Sequence, residues 1–373
     1  MFRTSFWRHF DFWLLGAVIV ALVFGVTMIR SAIAGNENLA ELVPRQMIYG
    51  GIGFAIILIV SAIDYRFWSG AILPMYFVIV VALGLLFVVG LTSFGATRWI
   101  QAGLINIQPT ELAKIVVILA LANYFSRQMA APRNWSWLAK SLVIAGGIIV
   151  LIYIQPNLSN VIVTTVIWTA MVWVSGLPVK YVLIIGSVVV VLAFVAFFLK
   201  IGDFQIMQDY QRDRIINFFV DDQTVSYGAT YNVRQALIAL GSGGWFGKGY
   251  GLGTQTQLRF MKVRHNDFIF SVIGEELGLV GALFVLLLLG FIVYRCLRTA
   301  RMARDPFGAL IAFGVGVLIF FQGAVNVAVN LKLIPVTGVP LPFISYGGSG
   351  LVSLMLGIGL VESVALRHKP LDF

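Results

Sequence analysis

The feature that most constrains this chain is a series of ten apolar stretches, at 12–34, 45–63, 70–92, 109–125, 139–154, 158–175, 179–199, 267–294, 306–330 and 345–366. A helix needs about 20 mainly apolar residues to cross the hydrocarbon of a bilayer. Stretches of that length, in a medium without water, satisfy their backbone polar groups by coiling into helices. Composition agrees. Of the 373 residues 60% are hydrophobic and 11% charged, whereas a soluble domain carries about 25% charged residues. A chain this poor in charge lacks the polar surface to cover a water-facing globule. The expected fold class is therefore an all-α integral membrane protein, a single polytopic unit over 1–373 with about ten transmembrane helices. Gln155-Pro156-Asn157 separates the two shortest stretches, and its proline ends one helix and forces a sharp reversal into the next. The first stretch follows Arg3 and Arg8 and precedes Ala32-Ile33-Ala34, in the manner of a signal peptide. Its core, Trp13–Ile29, is 17 residues long, longer than a usual signal core, so a retained first helix is expected.

Orientation follows from Lys and Arg in the short loops, which concentrate on the cytoplasmic side. With the N-terminus inside, the inner segments hold Arg3, Arg8, Arg66, Arg127, Arg133, Lys140, Lys180, Arg295, Arg298, Arg301, Arg304, Arg367 and Lys369. The short outer loops hold Arg30, Arg45, Arg98 and Lys332, thirteen against four. Both chain ends are expected in the cytoplasm, as an even number of helices requires. The same distribution accounts for the net charge of +10: the basic residues punctuate apolar runs and form no patch with interleaved aromatics, which argues against nucleic acid as a partner. Cys296 stands alone and gives no disulfide framework.

Residues 200–266 break the alternation as a polar segment of 67 residues, placed outside between the seventh and eighth helices. Segments of this length without a purpose are uncommon. This one contains a short amphipathic helix at 229–240 and the glycine cluster Gly241-Ser242-Gly243-Gly244, so a structured extracytoplasmic loop is expected. The run Gly247-Lys248-Gly249-Tyr250-Gly251 is no P-loop, because Ser or Thr does not follow the lysine. It reads as backbone that approaches substrate or protein closely.

Ionisable residues at membrane depth are costly and are functional candidates by default. Asp267 lies where the long loop enters the eighth helix, and helical spacing places Ser271, Gly274 and Gly278 on its face, a small, open face on which a bulky substrate could lie. Two readings stand side by side: a general base whose proton affinity is raised by apolar surroundings, and an N-cap of the helix. Glu111 and Lys114, at i and i+3, can pair, either as a structural ion pair or with Lys114 holding an anionic group. Arg98, Arg214 and Lys248 are outer-side cations, fit to stabilise a leaving diphosphate or to snorkel to headgroups. Leu341-Pro342-Phe343-Ile344-Ser345-Tyr346-Gly347-Gly348 opens the last helix with irregular backbone, tolerated at membrane depth only inside protein or along a wet cavity. With Asn326 and Asn330 it reads as a polar cavity wall that includes Ser345. His9, His265 and His368 have no metal-ligand spacing.

Four blocks together resemble the SEDS family (shape, elongation, division and sporulation proteins). They are Gly95-Ala96-Thr97-Arg98-Trp99-Ile100 through Gln108-Pro109-Thr110-Glu111-Leu112-Ala113-Lys114; Gln155-Pro156-Asn157-Leu158; Ser242-Gly243-Gly244 through His265-Asn266-Asp267-Phe268; and Pro335 through Gly350. Pro335-Val336-Thr337-Gly338-Val339-Pro340-Leu341-Pro342 is closer to the elongation branch, RodA, than to the division branch, FtsW. The resemblance implies a peptidoglycan glycosyltransferase of the bacterial cytoplasmic membrane. Its substrate would be lipid II and its leaving group undecaprenyl diphosphate. Its partner would be a class B penicillin-binding protein. Asp267 matches the family's essential aspartate, and Glu111 and Lys114 match its helix-four pair. Asn157 stands where the family usually has Asp, and Asn266 where it usually has Thr. No soluble cofactor is implied. A divalent cation, Mg or Mn, would suit the diphosphate, but the sequence lacks a clear carboxylate cluster to hold one. Two other classes compete. A lipid II transporter would place ionisable groups at the midplane on broken, repeated helices; a non-catalytic scaffold would tolerate Asp267→Ala.

Overall fold

The computed structural model describes residues 9–89, 91–93, 96–102, 105–198, 200–201, 204–205, 209–219, 229–261 and 264–368. Within them the chain is nearly all helical. Eight helices are long and apolar enough to cross a membrane. They are α1 (Phe12–Ala32), α2 (Leu42–Ala62), α3 (Phe67–Val89), α4 (Pro109–Arg127), α5 (Trp135–Ile154), α11 (Ile269–Met302), α12 (Pro306–Asn330) and α13 (Gly348–Leu366). Two further helices, α6 (Leu158–Val174) and α7 (Val179–Phe198), are apolar as well; α6 has 17 residues and the apolar run in α7 covers Val179–Val188.

Local chemistry sets the starts. Asp11 accepts from Leu14 N at 3.0 Å at the head of α1, Asn134 from Trp137 N at 2.9 Å at α5, and Asp305 from Gly308 N at 2.8 Å at α12. Each satisfies a donor that the first helical turn leaves unpaired. α4, α12 and α13 are buried around most of their circumference and form the centre of the bundle. α2 packs along α13, α1 and α12 along α11, and α6 against α12. The centre carries the polar residues Glu111, Lys114, Gln322, Asn326 and Asn330, all buried.

The segment between α3 and α4 differs from an all-helical expectation. β1 (Leu91–Ser93), β2 (Ala96–Ala102) and β3 (Ile105–Ile107) form an antiparallel sheet in that order, with Leu91 opposite Trp99 and Ile100 opposite Ile107. Its β-branched and aromatic residues favour extended backbone. The described residues of the 200–266 segment, expected to form a structured outer loop, include strands and helices. β4 (Lys200–Ile201) pairs with β5 (Phe204–Gln205), and α8 (Asp209–Phe219), α9 (Ala229–Ser242) and the short α10 (Thr254–Gln257) follow. α9 matches the amphipathic helix read at 229–240, whereas α8 was not anticipated.

α11 is broken at Gly278, whose φ of 67° and ψ of −161° leave the helical region. The glycine-rich loop docks at this break. Leu279 N donates to Gly244 O and Val280 N to Trp245 O, at 2.9 and 3.1 Å. Lys248 N donates to Glu275 O and Gly249 N to Glu276 O, at 3.0 and 2.9 Å. A Cβ on Gly243 would come within 1.9 Å of Gly274 O. Close backbone approach is thus to protein. The face of Ser271, Gly274 and Gly278, expected to lie open beneath Asp267, is occupied: Gly274 packs on Leu240 of α9 and Gly278 on Trp245 and Gly247.

Candidate active site

Asp267 stands in the turn 264–268, two residues before α11. The N-cap of α11 is Phe268, without a side-chain cap bond, so the Asp267 carboxylate does not serve as a cap. Its backbone is held from α12. Asn326 Nδ2 donates to Asp267 O at 3.0 Å and to Val339 O at 2.9 Å; Asn330 Nδ2 donates to Asp267 O at 2.9 Å. Asn330 Oδ1 also accepts from Ser271 N and Ser271 Oγ at 3.1 and 2.6 Å. The two asparagines, one helical turn apart, tie the turn, the start of α11 and the 335–340 segment into one unit.

The carboxylate itself has no hydrogen-bond donor among the described residues. It faces Gly338, where a Cβ would stand 3.9 Å from Oδ2 and where φ is +78°. Burial pushes the Asp267 carboxyl up to about 6, and the positive field of Arg214 works against that rise. Loss of hydration disfavours the charged form, and a nearby cation favours it. His265, two residues earlier, is pushed down to about 4 by burial and then by Arg264.

Arg214, on α8, donates from Nη1 to Val336 O and Thr337 O at 3.2 and 3.5 Å. Ser159 Oγ of α6 also donates to Thr337 O. These residues line a groove of about 560 Å³ between α6, α8, α12 and the 334–339 segment, whose other side chains are mostly apolar, such as Ile162, Phe321 and Val325. Gly338, against which the Asp267 carboxylate rests, lies between the groove-lining Thr337 and Val339. The arrangement joins a carboxyl poised to exchange a proton near neutrality, a guanidinium and a long apolar trough.

The other expected site residues fall elsewhere. Glu111 and Lys114 do meet, Nζ to Oε2 at 2.8 Å, and Lys114 also donates to Asn160 Oδ1 at 3.3 Å. Lys114 is 1% exposed, and the pair lies among α4, α6 and α13, where Ser353 Oγ donates to Glu111 O at 2.6 Å. Neither side chain lines the groove. Lys248, expected to face a diphosphate, is committed to Glu275: Nζ lies 2.9 Å from Oε1 and 2.8 Å from Thr254 Oγ1. Glu275 is fully buried and also accepts from Gln255 N, Thr256 N and Thr256 Oγ1 at 2.8, 3.1 and 2.8 Å. The lysine thus neutralises a buried carboxylate that organises the loop. Glu276 takes no cation among the described residues but accepts from Ser31 Oγ at 2.6 and 2.7 Å. Ser345 is buried; its hydroxyl donates to Asn266 O at 2.7 Å and accepts from Leu341 N at 2.9 Å, which fastens the irregular segment to the Asp267 turn. Arg98 lies in β2, and its side chain falls outside the described residues. Among the described residues no three His, Cys, Asp or Glu side chains gather where they could hold a metal ion.

The reading of Asn326 and Asn330 as a cavity wall missed their role as clamps, and Gly338 carried no signal beyond a glycine between two prolines. A turn of helix between two asparagines, beside a carboxylate, was the available hint.

The profile of the FtsW/RodA/SpoVE cell cycle protein family matches residues 4–369. The chain belongs to this family. The peptidoglycan glycosyltransferase MrdB of Escherichia coli K12 is 35% identical over 379 residues, covering 99% of this chain and 98% of that protein. A probable peptidoglycan glycosyltransferase FtsW of Hydrogenovibrio crunogenus is 35% identical, covering 96% and 92%. Among solved structures, the rod shape determining protein RodA of Thermus thermophilus superposes with a TM-score of 0.72 at 27% identity, over 98% of this chain and 99% of that one. A chain from a peptidoglycan synthase complex that coordinates polymerization and crosslinking reaches 0.78 at 27% identity, over 95% and 97%. The FtsW/RodA fold is thus shared along nearly the whole length.

Proposed function

We propose that this FtsW/RodA family member is a peptidoglycan glycosyltransferase that polymerises lipid II into glycan strands on the outer face of a bacterial cytoplasmic membrane, for cell elongation and rod shape. One observation carries the reading: the Asp267 carboxylate faces Gly338, which lies between two lining residues of an apolar groove that also carries the Arg214 guanidinium. A polyprenyl-linked sugar has the same division, a long hydrocarbon joined through a diphosphate to a polar head.

In the reaction, the Asp267 carboxylate takes the proton of the 4-hydroxyl of an acceptor GlcNAc. The freed oxygen attacks C1 of the donor MurNAc, and the bond from C1 to the diphosphate oxygen breaks. Undecaprenyl diphosphate leaves with the bonding pair, and the configuration at C1 inverts. A carboxyl held near 6 is deprotonated at working pH yet basic enough to accept a proton in the transition state. Arg214 lines the groove, where its charge would stabilise the departing diphosphate. The groove would take the prenyl chain. Glu111, Lys114, Lys248 and Ser345 support the site at a distance, by the internal bonds described above. Both chain ends are cytoplasmic in this arrangement, and the partner is a membrane-anchored class B penicillin-binding protein that crosslinks the product.

The test supplies lipid II to the purified protein in detergent, with and without that partner. Wild type yields glycan chains, and Asp267→Ala, folded by size-exclusion profile, yields none. Equal polymer from both removes Asp267 from the chemistry. Lipid movement across vesicles without polymer replaces the reading with a transporter.

A further inference from the structure

At the end of the bundle that carries both chain ends lies a second cavity, of about 330 Å³, between the start of α1, the last turns of α11 and the end of α13. His9, Arg298 and His368 contribute its polar wall, and Phe10, Met302 and Ala365 its apolar floor. The two imidazoles meet edge to face with centroids 5.3 Å apart. Among the described residues one acid lines the cavity, Asp11, and it is already neutralised: Arg295 Nη2 and Nε lie 2.5 and 2.7 Å from its Oδ2, while its Oδ1 caps α1. Arg298 is exposed and makes no ion pair among the described residues. The cavity therefore offers an uncompensated guanidinium above an apolar floor.

We propose that this cavity binds the phosphodiester headgroup of an anionic phospholipid from the adjoining leaflet. Arg suits phosphate because its planar fork bonds two oxygens at once. The rim points to a lipid and not to a soluble phosphate. Phe12 is 64% and Trp13 72% exposed beside the cavity, the placement of aromatics at a membrane–water boundary. From there the exposed apolar sides of α1, with Ile19 and Val23, and of α11, with Leu287 and Phe291, run on toward mid-membrane, giving acyl chains a continuous track. Arg301 and Arg304 follow Arg298 along the chain and add to the local positive potential that attracts anionic lipid.

The test compares full-length wild type, Arg298→Ala/His368→Ala, and the control Arg127→Ala/Lys140→Ala, which removes two basic residues from the same end of the bundle without touching the cavity. Each is purified from mixed phosphatidylglycerol and phosphatidylcholine bilayers, and retained lipid is counted by native mass spectrometry. Wild type and control retain phosphatidylglycerol selectively, and the cavity variant retains about five-fold less, the effect of removing one guanidinium. Equal retention by all three overturns the proposal, because the cavity residues would then hold no lipid; so does an equal loss in the cavity variant and the control, because charge at that end in general would then suffice. So does inorganic phosphate or glycerol phosphate that displaces the lipid at equal concentration, since the cavity would then be a site for a soluble anion. Should the double variant fail to fold, Arg298→Gln alone, at an exposed position, is read by the same two outcomes.

Discussion

At the scale of single residues, the site is a carboxylate with few neighbours and a well-anchored backbone. Because burial raises the Asp267 carboxyl to about 6, it is protonated and unable to act as a base below that pH and ionised above it. Polymerisation should therefore rise with pH through about 6, measured as initial rate in buffers of constant ionic strength. Arg214 holds the value down, so Arg214→Gln should move this acid limb to higher pH, and an unmoved limb would separate the two groups. Asn330 acts through Asp267, as a positioning residue. Asn330→Ala should lower kcat by about 10²-fold, the effect of misplacing a reacting group by an ångström, with KM nearly unchanged. A purely structural loss would instead reduce the amount of folded protein and leave the kcat of what remains.

At the scale of elements, the loop docked at the break in α11 depends on one ion pair. Lys248→Met leaves Glu275, fully buried, without its cation, and stability should fall by about 1–3 kcal/mol, read as a lower Tm in detergent. If Lys248 instead held substrate, KM would rise and Tm would not change. The Glu111–Lys114 pair makes a sharper case: Lys114→Met alone should cost about 3–5 kcal/mol, while Glu111→Gln/Lys114→Met together recover most of it. The sequence marked Glu111, Lys114 and Lys248 as candidates, but a partner was legible only for the first two. An i, i+3 spacing within α4 made Glu111 and Lys114 neighbours in advance. Lys248 and Glu275 are 27 positions apart, and nothing in either local pattern specifies that the loop folds back to meet the helix. The small face of Gly274 and Gly278 misled for the same reason: small residues permit close approach, and whether backbone or ligand approaches is decided by tertiary structure.

At the scale of the molecule, hydropathy made the bundle legible because lipid admits so few backbone solutions, and the apolar runs near 158–175 and 179–199 do form helices. The strands at 91–107 and the helix α8 were not legible, since short polar segments carry weak periodicity. The same limit hid the groove, which is built from four separate segments. The proposed orientation is checked with single cysteines in a Cys296→Ala background: a membrane-impermeant maleimide should label an outer position such as Asn36 in intact cells and leave His9 and His368 positions unlabelled until the cells are opened. One feature bears on how the chemistry is tuned. The amides of α12 grip the carbonyl of Asp267 and leave its side chain alone, so the mount is rigid and the reach of the acid is one methylene. Asp267→Glu keeps the charge but cannot retract, and its longer arm would press into the Gly338 backbone; under the proposed reaction, length would count as well as basicity at this position.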